Sequence, residues 1–197
     1  MGMGMGMGMG VSAGTGCVIR AVRAEEWPQV KELRLAALRD PLAPLAFLET
    51  YEEAAARPDS FWRDRAEGSS HGTKARQFVA EAPDGGGWAG SVVVLVEEAG
   101  AGDLFGGVIA RRQAHLVGVF VRPEFRRRGV LGALFEAAVG WAWSLVELDR
   151  VRLYVHEDNG RAQAAYRKLG FVRTGEVIPM KGDPSAKELE MELRRPG

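Results

Sequence analysis

The chain has 197 residues, of which 46% are apolar and 26% charged, a balance that suits one compact domain with a real hydrophobic core and leaves two domains cramped. Its 26 Lys and Arg offset 26 Asp and Glu, so no global field draws it to nucleic acid or to an anionic membrane, and any basic function is local. A single cysteine, Cys17, excludes an internal disulfide framework and a multi-cysteine zinc site, and it suits a reducing cytoplasm.

The chain opens on MGMGMGMGMG, which holds five of the 26 Gly and five of the seven Met. With too little apolar side chain to offset its ordering entropy, residues 1–16 read as a flexible Met-Gly leader, and 17–197 as a single domain. The leader lacks the basic n-region and continuous apolar core of a secretory signal, and Gly6 stands where a myristoylation signal would want Ser or Thr. No apolar run approaches the roughly 20 residues that cross a bilayer. A cytoplasmic protein with no membrane partner is expected.

CVIRAVR alternates as a strand, and EEWPQVKELRLAALRD follows with Val30, Leu33, Ala37 and Leu38 at helical spacing. Pro41 and Pro44 interrupt it, a second helix is predicted over Glu49 to Ala66, and SSHG marks a loop. RQFVAEA and WAGSVVVLVEE flank the turn PDGGG as an antiparallel hairpin, and after the glycine-rich excursion AGAGDLFGG comes a third strand, AHLVGVFV. From Arg128 to Leu145 apolar residues recur at steps of three and four, the mark of a helix packing one face on a sheet. VRLYVHE is a strand, Arg161 to Leu169 a short helix closed by Gly170, and FVRTGEVIPM and KELEMELRR are two last strands. The order β-αα-βββ-α-β-α-ββ predicts an α+β or mixed α/β fold, with helices on the faces of one sheet.

Chemistry concentrates in VGVFVRPEFRRRGVLGALFEAA. A buried strand ending at Val121 runs through Arg122 to Phe125 into Arg126, Arg127 and Arg128, a glycine and a helix. A helix start offers unpaired N–H groups and the positive end of a dipole, and Gly129 lets an anion approach the main chain. A solvated basic helix start is the plainer alternative. No GxxxxGK[ST] occurs and no GxGxxG follows the first strand, which excludes a P-loop and a dinucleotide fingerprint.

Here the sequence resembles the GNAT (Gcn5-related) N-acetyltransferases. Their signature Gln/Arg-x-x-Gly-x-Gly/Ala is matched by Arg126-x-x-Gly129-x and departs at Leu131, where Gly132 stands one place late. A second block, LYVHEDNGRAQAAYRKLGF, carries Asn159, Ala162, Ala165, Tyr166, Lys168, Gly170 and Phe171 at the family's positions. The resemblance implies an acyl-CoA N-acyltransferase fold with a mostly antiparallel twisted sheet, and acetyl-CoA as cosubstrate with no metal. Its pyrophosphate would lie on Arg126, Arg127, Arg128, Gly129, Val130, Leu131 and Gly132. The pantetheine arm would run along Val119, Phe120 and Val121, near Asn159 and Ala162, beside a splayed neighbouring strand. Gly118 fits a bulge there or, equally, a packing glycine.

Acetyl transfer to an amine needs a neutral nucleophile, donors for an oxyanion and a proton for the leaving thiolate. The resemblance gives the proton to Tyr166 and the oxyanion to backbone N–H of Val119 or Val121. His115 is the candidate base, with Glu97 and Glu98 as further carboxylates, whereas His156 is expected to face away. Cys17, next to the leader, is not proposed as an acyl carrier, so the implied route is direct attack in a ternary complex. The acceptor, a small-molecule or peptide amine, would be shaped by Arg34 to Ala66 and Val177 to Glu190. Glu49, Glu52, Glu53, Tyr51 and Trp62 lie in the first of these; the carboxylates would suit a cationic amine but fit a solvated surface better. A homodimer stays open. Two other classes are a non-catalytic acyl-CoA-binding sensor, kept open by Leu131, and nucleic-acid binding through Arg122 and Arg126 to Arg128. Neutral charge and the lack of an aromatic stripe speak against the second.

Overall fold

A computed structural model of the chain describes residues 10, 11, 14–83, 85–103, 106–180 and 182–197. Among the described residues eight strands and five α-helices follow one another as β1 (Gly10–Val11), β2 (Val18–Ala21), α1 (Trp27–Leu38), α2 (Tyr51–Ala55), α3 (Asp59–Ser70), β3 (Ala75–Glu81), β4 (Trp88–Glu97), β5 (Gln113–Val121), α4 (Val130–Ser144), β6 (Arg150–His156), α5 (Gly160–Lys168), β7 (Val172–Met180) and β8 (Asp183–Arg194). The strands form one sheet in the order β1-β2-β3-β4-β5-β6-β8-β7, antiparallel except for β5 with β6. This is the expected mixed α/β architecture.

Three elements differ from the sequence reading. Most of the leader lies outside the described residues, but Gly10 and Val11 pair antiparallel with Ile19 and Val18 on the open edge of β2. The helix expected over Glu49 to Ala66 is two helices. Pro58 disfavours a helical conformation at Arg57, so the chain breaks after α2 and restarts at Asp59. α3 then runs through the first two residues of the SSHG stretch to Ser70.

Both faces of the sheet are covered, which explains why β4 reads as a nearly continuous apolar run. On one face α4 lays Val130, Leu134, Phe135, Ala138 and Ala142 against Val92, Val94, Ala114, Leu116, Leu153 and Met191, and α5 adds Tyr166. Cys17 lies in this core with no exposed surface. On the other face Val30, Leu33 and Ala37 of α1 and Trp62 and Ala66 of α3 pack on Val22, Val79 and Phe120. Trp62 is therefore a core residue, and only its neighbours on the helix are left to shape an acceptor site.

The sheet opens in its middle. β4 pairs with β5 along its length and β6 with β8 from Arg150 to His156. Between β5 and β6 only two pairs form, Ala114 with Val151 and His115 with Arg152. Beyond them the two halves of the sheet diverge.

Candidate active site

The first component is the end of β5. The pairing with β4 steps from Phe120 opposite Ser91 to Val117 opposite Val93, which puts one extra residue in β5, and Gly118 takes φ 61° there. A Cβ on Gly118 would meet nothing closer than Val93 Cγ2 at 3.7 Å, so the glycine serves the backbone turn of a bulge and not close packing under α4. The bulge re-aims Val119 to Val121 toward the gap between β5 and β6.

The second component is the start of α4. Gly129 precedes the helix at φ 78°, Arg127 is also left-handed at φ 63°, and no side chain caps the first turn. Its first N–H groups lie where a helix binds anions. The arginines before it are not equivalent. Arg122 grips both carboxylate oxygens of Glu32 and donates to the Trp88 carbonyl. Arg126 donates to the Val121 carbonyl at 2.8 Å and pairs with Asp40. Arg128 lies over the Phe125 ring and is outside the cavity lining. Arg127 lines the cavity and has no polar partner among the described residues.

That cavity measures about 510 Å³. Of the residues expected to hold the cosubstrate, Val119, Phe120, Val121, Arg126, Arg127, Gly129, Val130, Leu131, Asn159, Ala162 and Tyr166 line it. Arg128 and Gly132 do not. Gly132 sits one residue farther round the helix, where a Cβ would meet Leu169 Cδ2 at 3.7 Å, so it faces α5 and does not replace Leu131 at the wall. The opposite wall, Asp40, Leu42, Ala43, Ala46 and Phe47, comes from the segment after α1. The sequence marked this segment as a proline interruption within the stretch expected to shape the acceptor, not as a wall of the cosubstrate cavity; its apolar run PLAPLAF was the available signal.

A second cavity, about 240 Å³, continues on the side of α1 and α3. The two share Ala46, Phe47, Val119, Asn159 and Tyr166. Asn159 caps α5 by accepting from the Ala162 N–H at 3.1 Å and donates to the Leu45 carbonyl at 3.4 Å, tying the wall segment to α5. Tyr166 stacks on Phe135 with centroids 5.4 Å apart, and its hydroxyl has no hydrogen bond among the described residues. Burial pushes that hydroxyl's pKa up to about 12, so it keeps its proton at neutral pH.

His115 and His156 both line the second cavity. His156, expected to face away, lies in step with Arg152 and Tyr154 on β6, and its Nδ1 accepts from the Asp158 N–H at 3.0 Å. His115 is 2% exposed, with Nδ1 2.9 Å from Glu97 Oε1. Arg152 donates to both Glu97 oxygens, at 2.9 and 3.0 Å. Burial pushes Glu97 up, but the hydrogen bonds from His115 and Arg152 outweigh it and hold its pKa at about 2. Glu97 is thus a fixed anion that orients His115, and Glu98 pairs with Arg112 outside the cavity. The acidic residues near α2 are likewise committed. Glu49 pairs with Arg34 and Arg57, Glu53 closes the capping box of α2 with Thr50, and Glu52 is exposed. Tyr51 takes a hydrogen bond from Arg39. Arg65 and Glu188, which line the second cavity, were not singled out in the sequence.

Among the described residues no group of three or more His, Cys, Asp or Glu could hold a metal ion, and no helix is long and apolar enough to cross a membrane. A family model described as Acetyltransferase (GNAT) family matches residues 27–171. No curated protein sequence matches the chain. Among solved structures, a GNAT-family acetyltransferase from Streptococcus pneumoniae aligns with TM-score 0.62 and 18% identity, covering 91% of this chain and 99% of its own. NAA60 from Arabidopsis thaliana, solved with acetyl-CoA, aligns with TM-score 0.65 and 16% identity, covering 92% and 99%. The spermidine/spermine N-acetyltransferase SpeG from Vibrio cholerae gives 0.60 and 17%, covering 91% and 94%. At such identities these likenesses concern the fold.

Proposed function

The chain belongs to the GNAT acetyltransferase family, and from that premise we propose that residues 17–197 form one N-acetyltransferase domain that moves an acetyl group from acetyl-CoA to a primary amine by direct attack in a ternary complex. The observation that carries this reading is the meeting of two cavities at Val119, Asn159 and Tyr166, one leading to the α4 start and the other to the face of α1 and α3. A single-ligand sensor needs only the first.

The first cavity suits the cosubstrate by its own chemistry. An uncapped helix start and Arg127, which has no polar partner among the described residues, fit a pyrophosphate, and the diverging edge of β5 fits an amide-bearing arm. Bound there, acetyl-CoA supplies the activated acetyl thioester. A backbone N–H of Val119 or Val121 stabilises negative charge on the carbonyl oxygen. Tyr166 holds a proton at the junction of the cavities for the departing sulfur. His115, whose Nδ1–H donates to Glu97, presents Nε2 as the acceptor of the amine proton. The protein would act in the cytoplasm on a small-molecule or peptide amine.

The test combines calorimetry with thiol release over a panel of amines. Acetyl-CoA should bind, at least one amine should release thiol, and Arg127→Glu with Gly129→Glu should abolish binding. Tight acetyl-CoA binding with no thiol release for any amine would overturn transfer in favour of a sensor, and unchanged affinity in the double variant would overturn the pyrophosphate placement.

A further inference from the structure

The second cavity carries an unbalanced set of charges. Arg34 of α1 and Arg65 of α3 both line it, and Arg57 stands behind them. Two of the three guanidiniums share one carboxylate, Glu49. Arg34 reaches a single oxygen of it through Nε and Nη2, at 3.3 and 3.2 Å, and Arg57 Nε stands 3.4 Å from the other. The Arg65 guanidinium is left without a hydrogen bond or ion pair among the described residues. Across the cavity Glu188 of β8 is half-buried and also has no hydrogen-bond or ion-pair partner among them. An unpaired cation and an unpaired anion thus face one space, with Val119 and Tyr166 at its inner end.

We propose that the acceptor is an amino acid or similarly small amino-carboxylate, its carboxylate held by Arg65 with Arg34 and its ammonium drawn in by Glu188 before it loses a proton. The inference rests on the N-acetyltransferase reading above and names that enzyme's acceptor class. Three lines support it. A guanidinium offers a planar fork that matches a carboxylate with two parallel hydrogen bonds, and a half-buried one gains most from such a partner. Burial lowers the pKa of Arg65, and burial together with the neighbouring Arg65 lowers that of Arg34; burial raises that of Glu188. Each group is therefore held at a cost that an opposite charge would offset. The cavity's 240 Å³ also suits an acceptor of a few heavy atoms beyond the amine. The same charges count against a polyamine, whose remote ammonium would have to sit beside Arg34 and Arg65.

Two measurements decide the matter. In thiol-release assays with saturating acetyl-CoA, the twenty amino acids would be compared with their amides and with spermidine and 2-aminoethyl phosphate. Free amino acids should show KM values 10- to 100-fold below those of their amides, the scale of a charge-assisted hydrogen-bond pair. Arg65→Gln should erase that difference while leaving the KM for acetyl-CoA unchanged. Separately, the CoA-loaded wild-type protein would be titrated calorimetrically with N-acetyl amino acids and with their amides. The acids should bind at least tenfold tighter, and this holds whether or not any amine is turned over. Equal affinity for acids and amides, no binding of either, or a preference for spermidine or for the aminoalkyl phosphate would overturn the carboxylate assignment. Tighter binding of the acids with no thiol release from any amine would support the carboxylate site and overturn the transferase reading alone.

Discussion

Replacing Tyr166 with Phe separates chemistry from packing, because the proposed catalytic role belongs to the hydroxyl and the packing to the ring. The ring stacks on Phe135 at 5.4 Å and lies 6.4 Å from Phe171, and every one of those contacts survives in Phe. The hydroxyl makes no hydrogen bond among the described residues, so its removal orphans no partner. Stability should therefore change by no more than about 0.5 kcal/mol, the scale of a substitution that touches none of the strongly destabilising mechanisms. Tyr166→Leu, which gives up the aromatic stack inside the core, should cost about 1–3 kcal/mol. If the hydroxyl protonates the departing thiolate, Tyr166→Phe should lower kcat by about 10²–10⁴, the usual worth of a positioned general acid. At 1.36 kcal/mol per decade that is roughly 3–5 kcal/mol of barrier. Acetyl-CoA affinity should stay within twofold. With a pKa near 12, the hydroxyl stays protonated across the working range, so the alkaline limb of the rate profile should be the same in both proteins below pH about 10. Thiol release gives kcat, calorimetry the affinity and thermal melting the stability. Wild-type kcat in Tyr166→Phe would remove Tyr166 from the mechanism, and a fall in kcat matched by a fall in Tm would reassign it to packing.

Other substitutions test the scaffold. Gly129→Ala puts a Cβ at a left-handed φ of 78° and 3.3 Å from Thr15 Cγ2; denaturant melts should show a loss of about 1–2 kcal/mol, with weaker CoA binding by calorimetry. Asn159→Ala removes the cap of α5 and the tether to Leu45, costing about 1 kcal/mol, and hydrogen exchange should show faster opening of residues 42–49. Glu97 titrates below its ordinary value of 4.5, at about 2. Its contribution is therefore whole above pH 4.5 and is lost as pH falls through 2; Tm should drop in that window, and Glu97→Gln should flatten the drop while lowering Tm at neutral pH. A steeper acid transition in Glu97→Gln would refute the assignment.

What the sequence disclosed and what it withheld divide along physical lines. Strand and helix periods, Gly129 before α4 and the Asn159 to Phe171 block are local patterns, and they placed both walls of the first cavity that α4 and α5 supply. Charge partners are not local. Nothing in Arg126-Arg127-Arg128 says that the first is spent on Asp40, 86 residues away, and that of the other two only Arg127 lines the cavity. Likewise, Arg65 reads as one more polar position on a helix until α1, α3 and β8 are brought together around one cavity. His156 was misplaced for a related reason. Alternation along β6 fixes which residues share a face, but which face borders the cavity depends on where β5 and β6 part.

That parting is itself built from side chains. β4, β5, β6 and β8 are joined across their polar face by a ladder in which Glu97 takes Gln113 and His115 from β5 and Arg152 from β6, while Arg150 and Arg152 reach Glu190 and Glu192 of β8. The ladder sits at the Ala114–Val151 and His115–Arg152 pairs, the last before the strands diverge. An apolar layer there would be indifferent to register, since hydrophobic contact is not directional. Hydrogen-bonded charges are satisfied at one register only, and leaving one unpaired costs several kcal/mol. The network therefore holds the strands together at one end, so that the bulge at Gly118 can turn β5 away at the other. Arg152→Met should accordingly do more than destabilise. With Glu97 left to His115 and Gln113 and no guanidinium facing it, it should loosen the divergence point and raise the KM for both the amine and acetyl-CoA, whereas Arg194→Met, whose pair with Glu192 is exposed, should change neither.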